Sequence, residues 1–217
     1  MGFQNKVVHL FLSPCTHESR MFKEVNSLVT AGFSKDLLIV GLWTPGLREK
    51  EKHSLFCRIW RLRLSSYFLP GNHFFSALKY MEWCIRILWF IGKLKVSMIH
   101  AHSLKSLPAA VALKYLTGAS LIYDAHELET ERNGLSGSMQ RISRLIELLL
   151  IGFADATMVV SDSIAEHYRA RYPGVNPVVV RNIPKFTQES RASVSLRKKL
   201  GLQDKDFLFL YLGGLVK

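Results

Sequence analysis

The stretch SMIHAHSLKSLPAAVALKYLTGASLIYDAHELETE, Ser97–Glu131, decides the architecture of the chain. Two apolar runs, SMIHAH (Ser97–His102) and SLIYDAH (Ser120–His126), flank a segment of helical periodicity. That segment starts near Ser106 and carries Pro108 in its first turn, where a missing N–H costs nothing. It stops at Thr117, before Gly118. A strand, a helix and a strand in that order predict a parallel pair joined by a right-handed crossover. The second strand ends abruptly at Asp124, and His126 then sits among the carboxylates of Asp124, Glu127, Glu129 and Glu131.

The same alternation extends outward in both directions. Upstream, VVHLFL (Val7–Leu12), DLLIVGLW (Asp36–Trp43) and RIWRLRL (Arg58–Leu64) read as strands, with a helix from about Ser19 to Ala31 stopped by Gly32. Downstream come ATMVVS (Ala156–Ser161) and PVVVRN (Pro177–Asn182), separated by a helix that Ser161 and Asp162 can cap. Most of these strands are unbroken Val/Ile/Leu runs, as a parallel sheet covered on both faces requires. RIWRLRL alternates basic with apolar residues and is expected at an edge, with one wet face. The predicted fold class is α/β, a doubly wound and mostly parallel Rossmann-like sheet.

After Ile183-Pro184 the pattern pauses in a polar stretch. A short basic helix (SLRKKLGL) and one strand (DFLFLYLGG) follow, and a lone strand makes no domain. Residues 1–184 therefore read as one Rossmann-like domain, and residues 185–217 as a linker and the first helix and strand of an incomplete second one. The chain is expected to be a truncation.

With 217 residues, 48% of them hydrophobic, there is material for one ample core. The formal charge of +12 favours an anionic partner without choosing among nucleic acid, phosphorylated ligands and acidic membranes. Three scattered cysteines, with no C-x-x-C, argue against a disulfide framework or a zinc knuckle. The start, MGFQNKVVHLFLSP, has too short an apolar run for a secretory signal, and Lys6 stands where a myristoylation signal wants Ser or Thr. The expected location is the cytoplasm, with a peripheral seat on the cytoplasmic face of the membrane compatible with the charge.

In open α/β sheets ligands bind beyond the carboxyl ends of the strands. His126 stands at such an end, and His102 ends the strand before. His126 could serve a ligand there, or it could cap the next segment and pair with Glu127 or Glu129. His100-Ala-His102 with Asp124 and His126 hints at a metal. Yet His100 lies one pleat deeper than His102, and later strands supply no further histidine, so no metal is expected. His9, His17, His53 and His73 read as structural or surface residues. No G-x-G-x-x-G follows the first strand and no Walker-type loop occurs, which argues against a nicotinamide-type site.

Taken in order, IHAHSLKSLPAAVALKYLTGASLIYDAHELETE, ADATMVVSDSIAEHY, PVVVRNIP and FLFLYLGGL resemble the family 4 glycosyltransferases of GT-B fold. The first helix, Arg20 to Ala31, takes part in the likeness, whereas residues 44–95 match poorly. The resemblance implies an N-terminal acceptor lobe facing a C-terminal lobe that binds a nucleotide-sugar. It implies a transferase, retaining in mechanism, that moves a sugar from that donor to a glycan or lipid-linked acceptor in cell-surface polysaccharide synthesis. It implies no cofactor beyond the donor and no metal. By the same resemblance His126 faces the donor sugar as the catalytic histidine. Arg20, His102, Asp124, Glu127, Ser161 and Asn182 match substrate-side positions, and Gly213-Gly214 match the turn that approaches the donor diphosphate. Asp124 and Glu127 could equally hold the imidazole or cap the following loop, and Ser161 and Asn182 could serve as cap and turn. The family's diphosphate-pairing residues would lie beyond Lys217, so the chain alone is expected to be inactive.

From Arg48 to Lys95 ten Lys/Arg stand against three Glu, so this stretch carries +7 of the +12. Its helix, FFSALKYMEWCIRILWFIGKL, sets Lys79, Glu82, Arg86 and Lys93 on one face and leaves a wide apolar arc. Either the arc packs on the sheet and the charges are solvated, or part of the segment lies on an anionic bilayer. Trp60, Phe68, Trp83 and Trp89 fall in periodic apolar patterns and not in stacking motifs, so no specific nucleic-acid partner is expected. The alternative to an enzyme is a non-catalytic basic α/β module that binds an anionic membrane or nucleic acid.

Overall fold

The computed structural model describes residues 5–132, 134–184, 196–203 and 205–210. The chain divides into two compact units, Met1–Asn182 and Ile183–Lys217. The first holds one eight-stranded sheet in the order β3-β4-β2-β1-β5-β6-β7-β8. Its strands are β1 (Lys6–Leu10), β2 (Asp36–Leu42), β3 (Lys50–Lys52), β4 (Cys57–Leu62), β5 (Met98–His102), β6 (Ser120–Ala125), β7 (Ala156–Val159) and β8 (Val178–Val179). Every neighbouring pair is parallel except β3 with β4. The chain progresses outward from β1 in one direction through β2 and β4, then returns to β5 and proceeds the other way. That reversal between β1 and β5 is the topological switch point of a doubly wound sheet.

Successive side chains of a strand point to opposite faces, and the two faces carry different helices. Val7 of β1 shares a cluster with Leu37, Ile39 and Ile59 and with Met21 and Val25 of α1 (Ser19–Thr30). Val8 and Leu10 belong to the larger cluster on the other face, with Trp83, Ile87 and Ile91 of α2 (His73–Ile91) and Leu107, Ala110 and Leu113 of α3 (Leu107–Thr117). The helix ends follow local chemistry. Asn72 accepts the Phe75 N–H at the start of α2, and Gly118 at φ +70° closes α3, a conformation that favours glycine.

Two sequence expectations fail here for physical reasons. The basic-apolar strand is not an edge: β3 pairs along it, and Arg61 is buried because Glu51 of β3 (2.7 Å) and the carbonyls of Pro14 (2.6 Å) and Arg48 (3.0 Å) receive its guanidinium. The segment 137–150, for which no helix was expected, forms α4 (Gly137–Leu150). Its buried face presents Glu147, while Met139, Ile142, Leu145, Leu148 and Leu149 face outward. α5 (Asp162–Arg171) follows β7, with Ser161 as its N-cap. In the second unit α6 spans Leu196–Lys199, and over its described residues, 206–210, the expected final strand is not formed.

Candidate functional site at the sheet switch point

Register brings the site together. His9 of β1 lies beside His100 of β5, and His102, one pleat further along, lies beside Asp124 of β6. Having even spacing, His100 and His102 share a face, and Asp124 and His126 do so on the next strand. It is the α1 face, and α1 turns Arg20 and Glu24, one helical turn apart, onto it.

Asp124 is the electrostatic centre. Its carboxylate, fully buried, accepts two hydrogen bonds from Arg20, Nε to Oδ2 at 2.8 Å and Nη2 to Oδ1 at 2.6 Å. His126 Nε2 lies 3.0 Å from Oδ2 and His102 Nδ1 lies 3.4 Å from it. Burial alone would raise the Asp124 carboxyl, but hydrogen bonds from His102, His126 and Arg20 outweigh it and hold the group far below the usual carboxylate range. Arg20 donates from its other terminal nitrogen, Nη1, to the carbonyl of Val180 (2.6 Å), so one guanidinium ties α1 to β6 and to the segment after β8.

A row of imidazoles runs inward from the surface. His126 is partly exposed and leans on Phe11, with ring centroids 5.5 Å apart. Its Nε2 meets His102 Nδ1 at 3.2 Å, and His102 Nε2 meets His9 Nδ1 at 2.9 Å. His100 stacks on His102, with centroids 4.3 Å apart. Burial lowers the pKa of His9, His100 and His102, so these rings are neutral at ordinary pH. His126 Nε2 donates a hydrogen bond to the Asp124 carboxylate. Nδ1 of that ring makes no hydrogen bond among the described residues and is left with an open lone pair.

Backbone strain marks the same place. Cys15 and Ser103 are the non-glycine residues with positive φ among those described, at 54° and 70°, and they follow β1 and β5. Such conformations cost about 1–3 kcal/mol and persist only where the surroundings impose them. The loop after β1 is pressed onto β2 at Gly41, where a Cβ would come within 2.6 Å of Cys15 Sγ and of the Ser13 carbonyl.

Of the residues matched by resemblance, Arg20, His102, Asp124 and His126 form one network. Asn182 joins it at a distance, accepting from Lys23 Nζ of α1 at 2.9 Å. Glu127 turns to Arg132 (3.0 Å), and Ser161 caps α5, accepting the Ile164 N–H at 3.4 Å. Gly213 and Gly214 lie outside the described residues. His102 and Asp124 are fully buried, and of the row only His126 is partly exposed at the sheet edge. Sequence reasoning missed His9, Glu24 and the part played by His100. The signal lay in the parity of strand positions and in the i,i+4 pair Arg20/Glu24, but it needed the strand register to be read.

The family described as glycosyl transferase 4-like domain matches residues 25–184. No curated protein matches the sequence. Among solved structures, sucrose-phosphate synthase from Thermosynechococcus elongatus is similar at 14% identity and a TM-score of 0.69, over 92% of this chain and 53% of that one. HepE of Anabaena, solved with UDP and glucose, is similar at 13% identity and a TM-score of 0.57, over 91% and 50%. The lipopolysaccharide outer core galactosyltransferase WaaB, in its apo form, is similar at 12% and 0.53, over 84% and 47%. The chain spans about half the length of each.

Proposed function

Because the chain belongs to the glycosyl transferase 4-like family, we propose that it forms the acceptor-side lobe of a nucleotide-sugar-dependent glycosyltransferase, retaining in mechanism, with His126 at the reacting sugar. The observation that carries this reading is a partly exposed imidazole at the carboxyl edge of the sheet, held from behind by a buried carboxylate 3.0 Å away. Its bare Nδ1 accepts a sugar hydroxyl, and the Asp124 charge behind the ring favours the positive charge that grows at the anomeric carbon. Such a contact counts most in the transition state. That HepE binds UDP and glucose on a related fold supports the donor class. Residues 1–184 form the acceptor lobe in this reading, and 185–217 begin the donor lobe with Gly213-Gly214 near the diphosphate.

The test pairs the protein, complete with its donor lobe, with a panel of sugar nucleotides and a membrane extract as acceptor. Replacing His126 by Ala is expected to lower kcat by about 100-fold, the scale of losing one preorganised transition-state contact. Full activity in that variant removes His126 from the site.

The acceptor in this reading is carried on a membrane. Phe74, Leu78, Met81, Ile85 and Trp89 form an exposed apolar stripe along α2, at spacings of four and three residues. Lys93 lies 3.7 Å over the Trp89 ring, and Trp60 of the basic strand β4 contacts Phe90. A basic rim beside an apolar stripe suits an anionic bilayer surface. None of the helices among the described residues is long and apolar enough to cross a membrane. Salt-sensitive binding to vesicles containing an anionic phospholipid is expected, weakened by Trp89→Glu. Binding to DNA with no response to anionic lipid would overturn this acceptor reading in favour of a nucleic-acid module.

A further inference from the structure

Behind the imidazole row lies a cluster whose polar atoms do not satisfy one another. His9 and His100 are buried and the Nε2 atom of each has no hydrogen-bond partner; that of His100 lies toward Glu24, whereas His9 turns its other nitrogen, Nδ1, to His102. Glu24 is mostly buried, and neither of its oxygens receives a well-oriented donor. Arg20 Nε does approach Glu24 Oε1 to 3.1 Å, but that N–H is directed at Asp124 Oδ2. The Arg20 N–H is therefore spent on Asp124, and Glu24 is left with the charge of a guanidinium it shares but with no hydrogen bond from it.

Protonation resolves this only in part. Burial first, and the Asp124 charge second, push the Glu24 carboxyl up to about 8. A protonated Glu24 can share its proton with the Asp124 carboxylate, but it stands 3.6 Å from His100 Nε2, beyond hydrogen-bond reach, and leaves that buried nitrogen unmet. Unmet buried groups of this kind cost about 1–3 kcal/mol each.

We propose that His9, Glu24, His100 and His102 are the ligands of a divalent transition-metal ion of the Zn2+ class. One donor atom from each residue lies within 4.8 Å of every other. Three of the six donor–donor distances are 2.9 Å (His9 Nδ1 to His102 Nε2), 3.6 Å (His100 Nε2 to Glu24 Oε2) and 3.9 Å (His102 Nε2 to Glu24 Oε2). A tetrahedral ion with bonds of about 2.0–2.1 Å has ligand edges of about 3.3–3.4 Å, in the middle of that range. Three imidazoles and one carboxylate suit Zn2+ and its first-row neighbours, and do not suit Mg2+ or Ca2+, which want oxygen ligands. The outer shell is also in place: Asp124 Oδ2 stands 3.4 Å from Nδ1 of His102, the nitrogen turned away from the site, as carboxylate–histidine–metal arrangements require. The ion would fix the His102 ring and thereby the His126 ring that rests on it.

Binding is measured without any substrate, so the outcome is separate from the sugar-transfer reading. The purified chain, stripped with a chelator, is titrated with Zn2+ by calorimetry and with Co2+ by visible absorption. About one equivalent of Zn2+ per chain is expected, together with the intense d–d bands of four-coordinate Co2+ and a rise in melting temperature. Mg2+ should give none of these. His100→Gln and Glu24→Gln should each weaken Zn2+ binding by about 100-fold or more, whereas His73→Gln, at the exposed start of α2, should leave it unchanged. Because glutamine is close in size to the residue it replaces and is neutral, both variants should melt close to the parent in chelator, which separates loss of the site from loss of the fold. Stoichiometric binding absent from the parent chain, or equal in the His100→Gln variant, overturns the proposal, as does a weak six-coordinate Co2+ spectrum.

Discussion

Two buried carboxylates, Glu147 and Glu24, sit on opposite faces of the same sheet and have opposite surroundings. Glu147 accepts the hydroxyls of Tyr123 (2.7 Å), Tyr168 (2.7 Å) and Tyr172 (2.5 Å), which come from β6, from α5 and from the residue after it. Burial, aided by the Glu147 charge, pushes those phenols up, so they remain protonated donors. Glu24 has three imidazoles for neighbours and a well-directed hydrogen bond from none of them. A closed polar network rigidifies a core, and an open one is retained at a cost in stability. The difference separates a joint of the scaffold from a place prepared for something else.

The largest effect is expected where the network is closed. Glu147→Ala leaves three buried hydroxyls without their acceptor and opens a cavity, so it should cost about 3–5 kcal/mol, read from the midpoint of a urea melt. Tyr172→Phe removes one donor and should cost only about 1 kcal/mol. Next comes Asp124→Asn. It strands the buried Arg20 guanidinium and loosens α1 from β6, at a cost of about 3 kcal/mol on the scale of broken buried ion pairs. Glu24→Gln in metal-free protein should change stability by no more than about 0.5 kcal/mol in the destabilising direction. A loss as large as that for Glu147→Ala would show that Glu24 is scaffold too, and the contrast would collapse.

The sheet was legible because burial on both faces writes itself as unbroken Val/Ile/Leu runs, and glycine and proline punctuated α1, α3 and α5. α4 escaped because its pattern is largely inverted: Glu147 is its buried residue, while Leu145, Leu148 and Leu149 face outward. RIWRLRL was misplaced at an edge because the three-residue β3 is wholly polar, and its pairing with Arg61 through Glu51 has no local signature. In the site, Asp124 and His126 announced themselves by ending an apolar run. His9 could not, since a histidine inside Val-Val-His-Leu reads as core until β1 and β5 are set in register beside each other. Arg20 was named through its motif, but its buried partner Glu24 depended on knowing which face of α1 meets the sheet. Local pattern therefore gave the elements, and the chemistry assembled only through contacts between strands far apart in sequence.

A pH-dependent effect extends the comparison to a satisfied carboxylate near the surface. Glu82 of α2 receives the Ser65 N–H (2.7 Å), the Ser66 N–H (2.9 Å) and hydroxyl (2.5 Å), and Arg86 Nε (2.7 Å), which clamps the turn Ser65–Phe68 onto α2. Desolvation opposes ionisation, but these hydrogen bonds outweigh it and lower the Glu82 carboxyl from 4.5 to about 2. With the folded value depressed, the unfolded chain binds the proton more tightly. The stabilisation is thus complete above pH 4.5 and is lost as pH falls towards 2. Because the carboxylate stands close to solvent, it should amount to about 1 kcal/mol. Urea melts between pH 5 and 3 should therefore fall less steeply for Glu82→Gln than for the parent chain. Parallel slopes would mean that Glu82 holds the turn without being ionised. A satisfied carboxylate would then be recognised by its geometry and not by its charge, and only the unmet oxygens of Glu24 would still distinguish the switch point.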